Sequence, residues 1–164
     1  ESPMKATLAP LKCHGYFVTG LMIAANPEYD KKKPNALLFG DLQIDSTAKP
    51  VSKKFDGRLW QVILQMQQNV GPDKNTPYNF SVTLVGHFEV HPKYPPGKAQ
   101  QLVEVNGSSI LYSSARQILR DAMHNGPFPA LDLPTVSFFD AEPDLPAKKS
   151  VAEASANNSE KAGK

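Results

Sequence analysis

The sequence predicts an α+β fold, in which a four-stranded antiparallel sheet is followed by a long helix and an extended apolar loop. Two patterns carry this prediction. Apolar and polar residues alternate along segments 59–69 and 78–91, as they do in strands with one buried face. Beyond residue 97 the apolar residues recur at helical spacing instead. A chain of 164 residues is long enough for one domain with a modest core.

The first two strands are predicted at residues 11–23 and 36–45, after a short lead-in at residues 1–10. The first segment is rich in β-branched, aromatic and aliphatic residues. The second places Leu42 and Ile44 on one face and polar residues on the other. A loop is predicted between the two strands because prolines and charges dominate that stretch, and residues 46–57 are predicted to be a polar link.

The third and fourth strands have the clearest alternation. The predicted buried face of the third strand consists of Trp60, Val62, Leu64 and Met66. That of the fourth strand consists of Tyr78, Phe80, Val82, Leu84, Phe88 and Val90. Residues 70–77 between them are rich in turn formers and predict a hairpin loop. A sheet with one buried and one wet face is typical of antiparallel pairing.

A helix is predicted over residues 109–125, with Ser108 or Ser109 as its N-cap and Gly126-Pro127 as its stop. Its apolar positions cover about 200° of the circumference, more than the ~100° stripe that a helix covered on one side needs. The chain offers only one sheet to cover this helix, so a second copy of the protein is predicted to cover the remaining part of its apolar surface. The predicted interface residues are Ile110, Leu111, Ala115, Ile118, Leu119 and Ala122.

Residues 126–139 are apolar but can form neither a helix nor an inner strand. Pro127, Pro129 and Pro134 each lack a backbone donor and fix φ. The large apolar side chains that still need a place are Phe128, Leu131, Leu133, Val136, Phe138 and Phe139. Two interpretations remain open, namely a strap over the domain's own core and one wall of an apolar groove.

Composition excludes several classes of function. The net charge is +2, and the lysine clusters lie in loop-like stretches, which argues against nucleic-acid binding. A single cysteine excludes an internal disulfide and a cysteine-built metal site. The sequence has no apolar run long enough to span a membrane and no signal-like start, so we expect a cytoplasmic protein without membrane insertion.

No arrangement of catalytic groups stands out either. On a strand, His87 and His91 would lie about 13 Å apart, too far to share a metal ion. Cys13 and His14 are neighbours on opposite strand faces and cannot pair locally. The phosphate-loop, dinucleotide, nucleophile-elbow and zinc-protease motifs are all missing from the sequence. We therefore expect no enzyme activity, no cofactor and no metal.

The C-terminal part of the predicted domain resembles the SecB preprotein-export chaperone family. The family motif is an aromatic-x-x-Ala-Arg helix core, then G-x-F-P-x-L-x-L and V-x-F. Here it reads Tyr112 with Ala115-Arg116, residues 126–133 as GPFPALDL, and residues 136–138 as VSF. The strands are similar to the family more loosely, including Gly86-His87-Phe88 in the fourth strand. The resemblance covers residues 11–140, with a disordered tail expected at 141–164.

The resemblance implies a chaperone that works without ATP and holds non-native or aggregation-prone polypeptides in hydrophobic grooves, in protein export or in toxin–antitoxin control. It also implies a homotetramer, a dimer of dimers. By matching position, the peptide-binding residues would be Phe128, Leu131, Leu133, Val136, Phe138 and Phe139, with Leu42 and Ile44 as groove neighbours on the sheet. Its partners would be unfolded clients or an antitoxin-like protein. The alternative is an interaction subunit that uses the same fold to hold one specific partner.

The sequence departs from the family pattern at three places. Pro143 and Pro146 make the family's second helix short or absent. Residues 31–34 stand where a tryptophan usually precedes the second strand. The acidic residues that the family uses to dock on the SecA motor are not matched by Thr19, Gly20 and Ala24. SecA docking is therefore not carried over to this chain.

Overall fold

The computed structural model describes residues 3–35, 41–51 and 54–139. Four strands are followed by one helical stretch. The strands are β1 (Leu11–Ala25), β2 (Leu42–Pro50), β3 (Leu59–Gln68) and β4 (Tyr78–Val90). The helical stretch consists of α1 (Ala99–Leu102), a π-helical turn (Val103–Gly107) and α2 (Ser108–His124). The predicted antiparallel sheet and long helix are confirmed.

The strands are arranged in the order β1-β4-β3-β2, and all three neighbouring pairs are antiparallel. The alternation in β3 and β4 sends every second side chain toward α2. Trp60 pairs with Phe88 and Leu64 with Leu84, so these residues share the helix-facing side. The core side chains on these two strands are Val62, Leu64, Met66, Tyr78, Phe80, Val82, Leu84, Phe88 and Val90.

Strand β2 is placed differently from the prediction. Of the predicted segment 36–45, residues 36–40 lie outside the described residues, and the strand continues to Pro50 through what was predicted to be a polar link. The extension pairs fully with β3, as far as Pro50 opposite Trp60. Its polar residues do not prevent pairing, because Ser46 faces the helix and its Oγ lies 2.6 Å from that of Ser108.

Strand β1 is an edge strand that α2 leaves largely uncovered. Two β-bulges interrupt its pairing with β4, one between Cys13 and Gly15 and one between Val18 and Gly20. Gly15 has a φ of +131°, which an L side chain rarely adopts. The large apolar side chains that β1 leaves exposed are Tyr16, Phe17, Val18, Leu21 and Met22. A long edge with apolar side chains on both faces is a surface that proteins normally cover.

The helical stretch begins about ten residues before the prediction, so the expected serine N-cap is wrong. Ser108 lies inside the stretch, and the Ser109 hydroxyl donates to the carbonyl of Val105, 2.7 Å away, one turn back. The π-helical turn lets the chain continue from α1 into α2 without a cap. The buried stripe of α2 is formed by Ser108, Leu111, Tyr112, Ala115, Leu119 and Met123.

A glycine in β4 allows α2 to approach the sheet closely. A Cβ at Gly86 would lie 2.9 Å from the Leu111 side chain and 2.8 Å from the Phe88 ring. These distances are too short for real Cβ contacts, so only glycine fits without a shift. The glycine of the Gly86-His87-Phe88 sequence is therefore explained by the packing of α2 against the sheet.

The predicted tail, residues 141–164, lies outside the described residues, and so does the position of a second helix beyond Asp140. Residues 3–9 have no regular structure and are exposed. In the described part of the chain, no helix is long and apolar enough to cross a lipid bilayer.

Candidate functional site

Residues 126–139, called the ribbon below, follow α2 and have neither helical nor strand structure, as the prolines predict. The helix closes with two backbone hydrogen bonds, from Asn125 N–H to the Ala122 carbonyl and from Gly126 N–H to the Met123 carbonyl. The ribbon then runs back along the helix, since Pro134 reaches Tyr112, three turns from the helix end.

The ribbon is anchored first at Phe128. The Tyr78 hydroxyl donates to the Phe128 carbonyl at 2.7 Å and accepts the Phe128 N–H at 2.8 Å. The Phe128 ring packs edge-on against Tyr29 at 5.0 Å and tilted against Tyr78 at 6.0 Å between ring centroids. Lys31 places its ammonium 6.0 Å from the centre of the same ring. Phe128 is therefore held on several sides and is half-buried.

The second anchor is the pair Leu131 and Leu133, which belong to the hydrophobic core with only 4% and 7% of their surface exposed. Asp132 between them points outward, as expected for alternating side chains in an extended chain. Its carboxylate accepts a hydrogen bond from Arg120 of α2 at 2.7 Å. The middle of the ribbon is thus a strap over the domain's own core.

The third anchor joins the end of the ribbon to Tyr112. The Tyr112 hydroxyl donates to the Pro134 carbonyl, and the ring packs edge-on against Phe138 at 6.1 Å. Burial raises the pKa of Tyr112 above its usual value, and the nearby Arg116 guanidinium opposes that rise. Val136 and Phe138 are half-buried, whereas Phe139 exposes 68% of its surface.

The strap interpretation describes the middle of the ribbon, and the groove-wall interpretation stays a prediction. Leu131 and Leu133 strap the core, while Phe128, Val136 and Phe138 present part of their surface and Phe139 most of it. Leu42 and Ile44 are half-buried on β2 and pack against the same core. The exposed parts of the ribbon side chains therefore form an apolar surface on a backbone that is held in place.

A cleft separates the ribbon from the outer side of α2 and has a volume of about 220 Å³. It is called the helix–ribbon cleft below, and its lining residues are Ser113, Arg116, Gln117, Arg120, Leu131 and Leu133. Arg116 also lies 5.8 Å from the Tyr112 ring centre. One wall is therefore cationic and polar, and the other is aliphatic.

Sequence reasoning missed the aromatic and amide side chains that hold this region. Asn26 is buried, donates to the Thr76 carbonyl at 3.0 Å and accepts the Glu28 N–H at 3.0 Å. Asn75 accepts the Asp30 N–H at 2.9 Å, which fixes the loop that carries Tyr29. The Asn26-Pro27 pair was a usable signal, because asparagine before a loop often bonds to the backbone two residues on.

The predicted interface residues on α2 fall into two groups. Leu111, Ala115 and Leu119 are completely buried in the core of their own chain. Ile110 is exposed, and Ile118 and Ala122 are half-buried. At 100° per residue, Ile118 lies about 200° from Arg116 around the helix. On the same count Ala122 lies at about 240° and Ile110 at about 120°, so Ile118 and Ala122 face away from the helix–ribbon cleft, whereas Ile110 lies beside Gln117, which lines the cleft.

A separate polar cluster lies on the outer face of the sheet. The Glu89 carboxylate lies 2.8 Å from His14 Nε2 and accepts a hydrogen bond from Arg58 at 2.9 Å. The hydrogen bond with His14 is the main cause that lowers the pKa of Glu89, with Arg58 adding to it and desolvation opposing it. Within the described ranges, no three His, Cys, Asp or Glu side chains come together as a metal site.

Comparison with known proteins identifies the family. The profile of the SecB family, described as preprotein translocase subunit SecB, matches residues 26–141 of this chain. The chain belongs to the SecB family. The match includes β2, β3, β4, the helical stretch and the ribbon, so the parts that form the candidate site are those that the family shares.

Two curated SecB proteins are similar in sequence. The protein-export protein SecB of Rhodospirillum centenum is 26% identical over 100 residues, which is 61% of this chain and 57% of that protein. That of Sphingopyxis alaskensis is 27% identical over 99 residues, 60% of this chain and again 57% of the relative. The matched part of the chain thus spans little more than half of the length of these relatives.

Solved structures support the SecB fold at low sequence identity. A SecB-like chaperone of Mycobacterium tuberculosis, in complex with a peptide from the HigA1 antitoxin, has a TM-score of 0.55 at 13% identity and covers 78% of this chain and 88% of its own. A protein of unknown function from Streptococcus agalactiae has a TM-score of 0.50 at 13% identity, and the match covers 76% of this chain and 97% of that protein. These likenesses concern the fold alone.

Proposed function

We propose that this SecB-family protein is an ATP-independent holdase chaperone that binds non-native or aggregation-prone polypeptides along the ribbon. The observation that carries the proposal is the ribbon itself, an apolar segment that is fixed at Phe128, at Leu131 and by Tyr112 of the helix. It still exposes part of Val136 and Phe138 and most of Phe139. A wall that is already rigid loses little entropy when a client binds. Such a surface suits shallow contact with many apolar sequences, and no chemical step is required.

The clients of relatives support two roles. The curated relatives are named protein-export proteins, and the M. tuberculosis SecB-like chaperone was solved with an antitoxin peptide. We propose that the present chain holds either export clients or an antitoxin-like partner in the cytoplasm. The alternative is a subunit dedicated to one partner. The dedicated subunit would bind that partner and leave generic unfolded proteins to aggregate.

We also propose that the chain forms a homo-oligomer. The exposed apolar side chains of β1 include Tyr16, Val18 and Leu21, and a partner surface would remove them from water. On α2, Ile110 is exposed and Ile118 is half-buried. Pairing of β1 with β1 of a second copy would satisfy its free backbone groups and cover its side chains.

Suppression of client aggregation tests the proposed function. A chemically denatured client is diluted into buffer with and without the protein, and light scattering is followed. We expect the parent protein to suppress aggregation and Phe139→Ser to suppress it less, with an unchanged free energy of unfolding, because Phe139 is mostly exposed. Leu131→Ala is a poor variant for this purpose, since loss of a buried leucine costs about 2–5 kcal/mol.

Thr47→Ser is the matched control, because Thr47 is exposed on β2, whose register places it on the sheet face away from the helix. It should suppress aggregation as well as the parent protein does. If the parent protein leaves several unrelated clients to aggregate, the general holdase function is wrong. Equal suppression by the parent and Phe139→Ser would contradict the role of the ribbon's end.

A further inference from the structure

Residues 3–9, called the arm below, precede β1 and have an alternation of apolar and polar side chains. Met4, Ala6 and Leu8 alternate with Lys5 and Thr7. This pattern is typical of an extended segment that buries one of its two faces. In the structure, however, the side chains of Met4 and Leu8 are fully exposed. The pattern therefore predicts a surface against which the apolar face of the arm can lie.

The arm is held in place where it joins β1. The Pro10 carbonyl accepts a hydrogen bond from the His91 N–H at 2.8 Å, and Leu11 pairs with Val90 of β4. Ala9 and Pro10 line a small cleft of about 160 Å³ beside the end of β4. The arm thus begins at a defined point, at the edge of the sheet where β4 ends.

A larger apolar cleft lies next to this point and is called the Trp60 cleft below. Its volume is about 300 Å³, and Trp60 and Tyr94 provide aromatic surface on its walls. Val90, His91 and Pro92 line both this cleft and the small one at the root of the arm, so the two clefts are adjacent. A concave surface with aromatic walls is well suited to bind apolar side chains.

The arm is long enough to cover the Trp60 cleft. Trp60 lies on β3, two strands from β1, which corresponds to roughly 10 Å across the sheet. Fully extended, the arm would span roughly 23 Å at about 3.3 Å per residue. To reach the cleft it must pass the end of β4, away from the free edge of β1. Pairing of β1 with a second copy and closure of the arm are therefore compatible.

We propose that the arm closes over the Trp60 cleft of its own chain, with Met4 and Leu8 against the aromatic walls and Lys5 and Thr7 toward water. The exposed arm of the structure is the open state of this strap. Attachment at Pro10 keeps the arm at an effective concentration in the millimolar range, so that a weak apolar contact is enough to close it. The inference does not depend on the proposed holdase function.

Fluorescence of Trp60 tests the closure directly, because Trp60 is the single tryptophan of the sequence. Acrylamide quenching is compared between the parent protein and a Met4→Asp/Leu8→Asp variant. If the tethered arm is closed in at least half of the molecules, the quenching constant of Trp60 should rise about twofold in the variant. Both residues are fully exposed in the open state, so the variant should fold normally, which circular dichroism checks.

A Lys5→Gln/Thr7→Ser variant is the matched control, because it changes the polar face of the same arm. It should quench like the parent protein. Equal quenching of the parent and the aspartate variant would overturn the inference, and so would a control that behaves like the aspartate variant.

Nuclear Overhauser contacts identify which arm lies on the cleft. The parent protein should give contacts between the Leu8 methyl groups and the Trp60 indole ring, and they should be absent from the aspartate variant. In a mixture of isotope-labelled and unlabelled protein, isotope filtering separates contacts within one chain from contacts between two chains. Contacts within one chain support the inference. Contacts found only between chains would overturn the assignment of the arm to its own cleft.

Discussion

The hydroxyl oxygen of Tyr78 bonds to both backbone groups of Phe128, donating to the carbonyl at 2.7 Å and accepting the N–H at 2.8 Å. Tyr78 is the first residue of β4 and is almost completely buried, so it is part of the rigid sheet. The two residues are 50 positions apart in the chain. This contact fixes where the ribbon leaves the helix and therefore where its apolar side chains lie.

Tyr78→Phe should loosen the start of the ribbon. The ring is kept, but two partly buried backbone groups of Phe128 lose their partner, which costs about 1–3 kcal/mol. Chemical denaturation measures the loss, and hydrogen exchange should become faster at the Phe128 amide. Thr47→Ser on exposed β2 is the control and should change stability by less than about 0.5 kcal/mol. Unchanged exchange at Phe128 would contradict this role of Tyr78.

Gly126→Ala should strain the same junction. An added Cβ would collide with the Tyr78 hydroxyl oxygen and come within 2.9 Å of the ring. Forcing a methyl group into a packed site costs about 1–3 kcal/mol. Gly97→Ala is the matched control, because a Cβ at Gly97 meets nothing within 4 Å. Thermal unfolding should separate the two variants, and equal midpoints would mean that the contact at Gly126 relaxes without cost.

The sequence predicted the sheet and the helix well because these depend on periodicity within a segment. It missed features that depend on contacts between distant segments. Strand β2 extends to Pro50 because β3 pairs with it throughout, and Ser46 is accommodated by Ser108. The helical stretch begins at Ala99 because a π-helical turn carries the chain on, and periodicity does not reveal such a turn.

The candidate site was predicted only in part, because it too depends on contacts between distant segments. The prolines and apolar residues at 126–139 were sufficient to locate the ribbon and to exclude regular structure, and the family resemblance implied a peptide-binding role for it. The sequence did not predict that Leu131 and Leu133 face the core while Phe139 faces outward. That division depends on where Tyr78 and Tyr112 hold the backbone. The cleft at Arg116 follows from the same placement.

Leu21→Lys should lower the molecular mass in solution. Leu21 exposes 48% of its surface on edge strand β1, opposite Val82 on β4. If β1 pairs with a second copy, a lysine at this position would bring charge into the interface without disturbing the core. Size-exclusion chromatography with light scattering gives the mass. Thr47→Lys on β2 should leave it unchanged, and a monomeric parent protein would refute the proposed oligomer.

Glu89→Gln should destabilise the protein in a pH-dependent manner. Its pKa is lowered from 4.5 in the folded state, so the stabilisation is present above about pH 4.5 and is lost as the pH falls through the folded-state pKa. The difference between parent and variant should therefore be larger at neutral pH than in acid. Urea denaturation across this range measures it. His14→Gln should reduce the same difference, and a gap that does not depend on pH would exclude this linkage.

Photo-crosslinking along the ribbon is the most direct test of where a client binds. Benzoyl-phenylalanine is introduced in place of Phe139 in one variant and in place of Thr47 in another, and each is irradiated with an unfolded client. Both positions are exposed, but only Phe139 belongs to the ribbon. We expect client crosslinks at position 139, lost when the client is allowed to fold first, and few at position 47. Equal crosslinking at both positions, or none at 139, would contradict client binding by the ribbon.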